Sequence, residues 1–253
     1  MNAPSLYDVA IAGVLVLLAM AAGRWYRLPV LKDMAFGSVR GFVQLVAVGY
    51  ALHFIFGLES PWLIHLAIVI MIVVGAHASA GRMNQLEGAF IVALVSMAVG
   101  SFLTLGLMML LGLIKFEARY IIPLAGMIIG NSMNASSISV ERLTSDLRSN
   151  RLAIETALAL GKSWREAAMD FQKSAARAGM ISMLNFMKTV GIVALPGAMT
   201  GMILAGAEPL QAVYLQLIVA YMLLASNTIT SIVAVELTVR KFFTRYHQLR
   251  QSV

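Results

Sequence analysis

The chain has 253 residues, 60% apolar and only 12% charged, with no cysteine and a formal net charge of +7. Soluble domains carry about 25% charged residues, so there is too little charge to coat a water-exposed surface, and a soluble enzyme is excluded. The missing cysteines remove disulfides, thiolate metal sites and cysteine nucleophiles, and in so apolar a chain the basic excess reports loop placement at a membrane, not nucleic acid.

A helix needs about 20 mostly apolar residues to cross hydrocarbon. In chain order, the apolar runs predict seven spans: Leu6–Ala22, Phe36–Phe56, Trp62–His77, Gly88–Ile114, Tyr120–Ser137, Thr189–Ala207 and Leu210–Val235. Positive charge collects on the cytoplasmic side. With the N-terminus outside, the inner segments hold Arg24, Arg27 and Lys32, then Arg82, then Arg142, Arg148, Arg151, Lys162, Arg165, Lys173 and Arg177, then Arg240, Lys241, Arg245 and Arg250. The outer loops around Glu59 and Glu208 carry no Lys or Arg. The expected fold is therefore all-α: a polytopic bundle of about seven transmembrane helices, N-out and C-in, forming one permease domain over residues 1–253. Gly179–Lys188 is apolar on one side and polar on the other, which fits an elbow at the inner interface.

The one large soluble element is Val140–Ala178, rich in Ala, Leu and Glu from Leu152 onward and so expected to be helical. A plain connection needs only a few residues, so a helical loop of this length suggests a docking partner.

Several candidate motifs fail on their chemistry. Gly161-Lys162-Ser163 looks like the end of a phosphate-binding loop, but Thr156 stands where the first glycine is required. His65 and His77 lie about 120° apart around a helix, and His53 and His65 read as interfacial side chains. Met180, Met183 and Met187 read as packing, because no thiolate joins them. Glu236 precedes Arg240 by four residues, the spacing of a helix-surface ion pair.

Three glycine pairs, Gly37/Gly41, Gly126/Gly130 and Gly197/Gly201, have the spacing that lets helices pack closely in lipid. Polar residues gather in the inner halves of three spans. Asn131, Ser132 and Asn134 lie in the fifth, Asn227 and Thr230 in the seventh, and Gln44 at comparable depth in the second. Polar groups in hydrocarbon face partners or water, so this layer predicts either a solute pathway open to the cytoplasm or interhelical hydrogen bonding. Pro196, inside the sixth span, is a candidate hinge.

The stretch Glu155-Thr-Ala-Leu-Ala-Leu-Gly161 resembles the cytoplasmic E-A-A-x-x-x-G segment of ABC importer permeases, although Val193-Ala-Leu-Pro196 comes much later than the corresponding motif there. Taken in order, Gly126–Asn134, Glu155–Gly161, Met187–Met202 and Ser226–Thr230 look like the FetB-like permeases, bacterial ABC-type membrane subunits linked to iron export, with plant relatives linked to aluminium tolerance. The resemblance covers nearly the whole chain. It implies a homodimeric permease in the bacterial inner membrane, exporting iron with ATP and Mg handled by a separate ATPase subunit. This chain would then bind no cofactor and catalyse nothing itself. Glu155, Ala157, Gly161, Trp164 and Glu166 become the coupling residues, and no metal ligands are implied. Alternatives are a transporter driven by an ion gradient, or an ABC exporter of another polar solute such as a nucleotide sugar.

Overall fold

The computed structural model describes residues 5–58, 60–83, 86–244, 246 and 248–250. Glu59, Arg245 and the His53 side chain lie outside the described residues. The described chain is helical: α1 (Leu6–Trp25), α2 (Leu31–Leu58), α3 (Pro61–Ala80), α4 (Ala89–Leu110), α5 (Ala118–Ser149), α6 (Arg151–Ala159), α7 (Trp164–Thr189), α8 (Gly197–Leu204) and α9 (Pro209–Phe242). It divides into two units, residues 1–59 and 60–253.

The first unit is the hairpin of α1 and α2. Ser5 caps α1, its hydroxyl accepting from the Asp8 amide while Asp8 accepts from the Ser5 backbone N–H at 2.7 Å. The Leu28 amide returns to the Gly23 carbonyl at 2.9 Å and closes the turn. Both helices expose large apolar side chains, Leu15, Leu17, Phe36 and Leu45 among them, as a lipid-facing surface requires.

The second unit is a helix bundle in which contacts between α3, α4, α5 and α9 fix their relative directions. Ser79 of α3 donates to the Met133 carbonyl of α5, and a Cβ on Gly75 would meet Ile129, so α3 and α5 run parallel. α4 is antiparallel to both: Ser96 lies 3.2 Å from Ser136 of α5, Gly100 abuts Thr230 of α9, and Lys241 near the end of α9 donates to the Glu87 carbonyl just before α4. α5 and α9 run parallel, since Ser132 meets Ser226 while Ser139 and Ser231 together flank Gly179. Two parallel spans require one return crossing between them. α7 and α8 make that crossing.

Among the described residues, six helices are long and apolar enough to span a membrane. The sixth expected span, Thr189–Ala207, differs from a simple helix. α7 ends at Thr189, the chain turns through Val190–Leu195, and α8 begins at Gly197. Gly191 adopts φ 82°, a left-handed conformation that glycine enters without strain. The backbone groups freed by the break find partners inside the turn: Val193 N–H donates to the Thr189 carbonyl at 2.9 Å and Gly191 N–H to the Ala194 carbonyl at 3.0 Å. This self-satisfaction makes broken backbone tolerable at membrane depth. Pro196 is accordingly not a kink inside a helix but the residue that caps α8, at φ −63° and ψ 146°. Gly179–Lys188 is not an interfacial elbow either. It is the second half of α7, and Gly179 and Met183 are buried in the bundle.

At about 48 and 51 Å, the 32-residue α5 and 34-residue α9 outrun the hydrocarbon. Their ends, with α6 and the first half of α7, make a charged helical extension over the expected Val140–Ala178 segment.

Candidate functional site

Three places in the bundle bear on function: the polar seam, the break between α7 and α8, and the charged elbow around α6.

The seam joins α5 to α9. Ser132 and Ser226 hydroxyls are 2.8 Å apart, and Thr230 donates to Ser132 at 3.1 Å, all fully buried. Ser96 of α4 adds a contact to Ser136. Of the expected pathway residues, Ser132 and Thr230 therefore sit in an interhelical hydrogen-bond chain. Asn227 is buried on the same helix, with its side-chain oxygen unpartnered. Asn134 is at the exposed inner margin, accepting from Arg82 at 2.8 Å. Gln44 is exposed on α2 in the other unit. Ser132→Ala removes the hydroxyl that serves both Ser226 and Thr230. It is expected to cost about 1 kcal/mol of bundle stability, read as a lower melting temperature in detergent.

α7 crosses this seam at Gly179. A side chain there would collide with the Ser139 hydroxyl and would lie 2.6 Å from both the Ala135 carbonyl and the Ser231 hydroxyl. Gly75 and Gly100 are similarly crowded, by Met97 and Thr230. Among the paired glycines expected to mediate close packing, Gly126 packs tightly on Met71, where a Cβ would come within 3.2 Å, and Gly37, Gly41, Gly130, Gly197 and Gly201 face open space within the chain. The closest approaches thus fall at single glycines, Gly100 and Gly179 opposite threonine and serine and Gly75 opposite Met97 and Ile129.

Asn131, the remaining pathway residue, lines a cavity of about 320 Å³ at the break, together with Ser182, Pro196, Gly197 and Gln216. Its amide donates to the Met127 carbonyl at 2.8 Å. Gln216, 7% exposed, has a side-chain oxygen without a partner. Sequence reasoning missed Gln216. The available signal was a lone carboxamide in the outer half of an apolar span, away from the inner layer that drew attention.

The elbow is built by local rules. α6 ends at Leu160, and Gly161 turns the chain at φ 85° with open space around it. Ser163 caps α7, and Glu166 completes the capping box by accepting from the Ser163 N–H at 2.8 Å. Hydrogen bonds from the Ser163 hydroxyl and backbone hold the Glu166 carboxyl below its usual range, with Lys162 adding a smaller pull. Glu155 pairs with Arg151 at 2.8 Å, and Ala157 is half-buried between them and the turn. Trp164 stacks on Phe243 at 5.7 Å, and Arg165 approaches Glu236 at 3.8 Å, fastening α7 to the end of α9. Glu236 also takes the expected partner Arg240 at 2.7 Å. Leu152 in the first turn of α6 and Leu160 at its C-cap are each 78% exposed at the charged end.

No group of three or more His, Asp or Glu side chains converges among the described residues. His65 bonds the Pro61 carbonyl at 2.8 Å and packs on Phe116, and His77 is exposed.

Comparison with known proteins places this arrangement. Protein ALUMINUM SENSITIVE 3 of Arabidopsis thaliana is 37% identical over 96% of this chain and 89% of its own length. The membrane protein YjkA of Bacillus subtilis (strain 168) is 36% identical over 97% of this chain and 98% of its own. The protein named "Probable iron export permease protein FetB" of Escherichia coli (strain K12) is 34% identical over 96% of this chain and 93% of its own. No solved structure matches the chain. The model of the uncharacterised protein family UPF0014 matches residues 6–243. A bundle of apolar helices with a charged helical extension, matched end to end by these relatives, is thus a multi-pass membrane protein of the UPF0014 family.

Proposed function

We propose that the chain is the permease subunit of an ABC-type exporter. In this reading two copies pair in the bacterial inner membrane, a separate subunit hydrolyses MgATP, and iron moves outward. The observation that carries it is the 34% identity, over nearly both full lengths, to a protein named as a probable iron export permease. The elbow supports the ATPase partner. It presents an exposed apolar stripe beside a glycine-turned helix end, and α7 runs directly from it into the bundle, so a push on the elbow reaches the cavity at the break as a rigid-body displacement.

A gradient-driven transporter would use an acidic side chain deep in a span to carry its coupling ion. Glu236, the acid this would call on, is held by Arg240 and Arg165 in the charged extension, which favours the ATP-driven reading.

Inside-out membrane vesicles test it. Vesicles containing the chain and its co-purifying ATPase should accumulate iron when given MgATP and stop when ATP is exhausted. Accumulation that survives ATP depletion, or purification from the native host with no ATPase attached, overturns the proposal.

A further inference from the structure

α7 has a side that the bundle leaves uncovered. Ala175, Gly179 and Met183 are buried on one side, and Arg177, Asn185, Lys188 and Thr189 are exposed on the other. Their depth follows from the contacts of α7. Gly179 abuts Ala135 and Ser139, about 28 Å along α5 from its Ala118 end, where the Glu117–Arg119 ion pair marks a surface. α7 is antiparallel to α5, since Ser182, Met183 and Phe186 share a cavity with Asn131 and Met127. Lys188 lies about 13 Å beyond Gly179. It is therefore about 15 Å from that surface, halfway through a hydrocarbon core of about 30 Å. The carbonyls that end α7 attract its charge. Among the described residues, however, the ammonium has no ion pair or hydrogen bond, and its four-carbon stem reaches neither surface.

The polar side continues onto α5. Ser182 lines the cavity at the break and also an open groove of about 530 Å³ between α5 and α7, where it joins Glu141, Arg142 and Ser145. The far side of the bundle is different: the groove between α4 and α9 is walled by Phe102, Leu103, Leu107 and Ile229, as lipid contact requires. Unpaired polar groups at hydrocarbon depth face protein or water instead. Charge indicates which protein. Arg177 precedes Gly179 by two residues and Glu141 follows Ser139 by two, so on antiparallel helices they stand level. Both are exposed, and neither has an ion pair among the described residues. Two copies of a chain related by a two-fold axis present the same patch to each other, so each free carboxylate faces the other copy's free guanidinium. We infer that the α5–α7 face is where two copies of this chain meet, enclosing a water-filled passage that runs from Glu141 past Ser182 and Asn185 to Lys188. The presence of two copies rests on the exporter reading; the polarity at depth does not.

The chain has no cysteine, so each introduced thiol reports one position. Asn185→Cys and Lys188→Cys probe the passage, and Leu103→Cys, 58% exposed on α4, probes the lipid side. The full chain is reconstituted in phosphatidylcholine vesicles at a high lipid-to-protein ratio. One portion is treated with a membrane-impermeant trimethylammonium methanethiosulfonate, another with a short bis-maleimide. The passage thiols should be modified about 100-fold faster than Leu103→Cys, because the reactive thiolate does not form in hydrocarbon. The bis-maleimide should join the passage variants, and not Leu103→Cys, into covalent dimers. In the Asn185→Cys background, Glu141→Arg should lower the dimer yield about ten-fold by facing arginine with arginine. Adding Arg177→Glu should restore it, which a merely structural role for either residue would not produce. Slow modification of both passage thiols assigns the face to lipid or to another segment of the same chain and overturns the proposal. Modification without a covalent dimer makes the face an open polar surface and also overturns it, as does a charge swap that fails to restore the dimer. A dimer formed through Leu103→Cys instead moves the interface and leaves the exporter reading standing. Neither ATP nor iron enters the measurement, so vesicles that fail to export leave the interface standing.

Discussion

Gly179→Leu is expected to abolish assembly of the bundle, and Gly179→Ala to cost about 2 kcal/mol. Two effects oppose each other. Alanine in place of glycine favours a helix by about 1 kcal/mol. Against it, the new methyl group enters a three-helix crossing where the Ser139 and Ser231 hydroxyls and the Ala135 carbonyl already occupy its place. The hydroxyls can rotate away, but the carbonyl belongs to the backbone of α5 and moves only if the helix moves. Overpacking at a site of this kind costs about 1–3 kcal/mol per added group, and more where backbone must shift. The clash therefore wins over the propensity. Gly130→Ala, where a Cβ meets nothing within 4 Å, isolates the propensity term and should leave stability unchanged or slightly raised. Thermal unfolding of the detergent-solubilised variants reads both. A Gly179→Ala protein that melts at or above the parent temperature would mean that α7 does not cross the seam so closely.

The second large effect concerns the charged extension. Leu152 and Leu160 are 78% exposed and touch little of the bundle, so replacing both with glutamate should leave folding within about 0.5 kcal/mol of the parent chain. Partner docking should respond differently. Burying each leucine against a cleft is worth about 2 kcal/mol, and a buried unpaired carboxylate costs more than that gain. On the proposed exporter reading, the double variant should thus insert normally, keep its melting temperature, and lose the ATPase that this reading pairs with the chain, together with the iron export it drives. Retention of the ATPase would move the docking surface elsewhere on the extension, Trp164–Asp170 being the next candidate.

Hydropathy and charge made the membrane bundle legible because both are properties of composition averaged over a turn or more. The charged extension was legible for the same reason. What escaped was geometry set by single backbone angles. The run Thr189–Ala207 is as apolar as a span should be, yet the left-handed Gly191 and the extended Pro196 divide it, and an average over apolarity cannot register either. The polar residues read from α5 and α9 do lie level with one another, Ser132 beside Ser226 and Thr230. Depth does not tell which way a hydroxyl points, and Ser132, Ser226 and Thr230 point at one another. Asn131 was found because it lay in a polar cluster, and Gln216 was overlooked because it stood alone. The glycines that matter for packing, Gly75, Gly100 and Gly179, have no regular spacing, since each is fixed by its opposite neighbour and not by its own helix.

The crossing at Gly179 has a mechanical side. α7 is one unbroken helix with its tightest contact near its middle, with 15 residues, or about 22 Å, on the elbow side and 10 residues, or about 15 Å, on the side of the break. A helix that tilts about such a grip swings its two ends in opposite directions. Its elbow end is fastened by the Arg165–Glu236 pair and the Trp164–Phe243 stack, contacts worth about 1 kcal/mol each. The middle is wedged against backbone. An inward pull on the elbow of 3 Å, on the order of helix shifts at switching interfaces, would therefore swing Thr189 about 2 Å the other way. The arm ratio trades travel for force: a long, weakly latched handle outside the membrane works a short jaw beside the amides of α8.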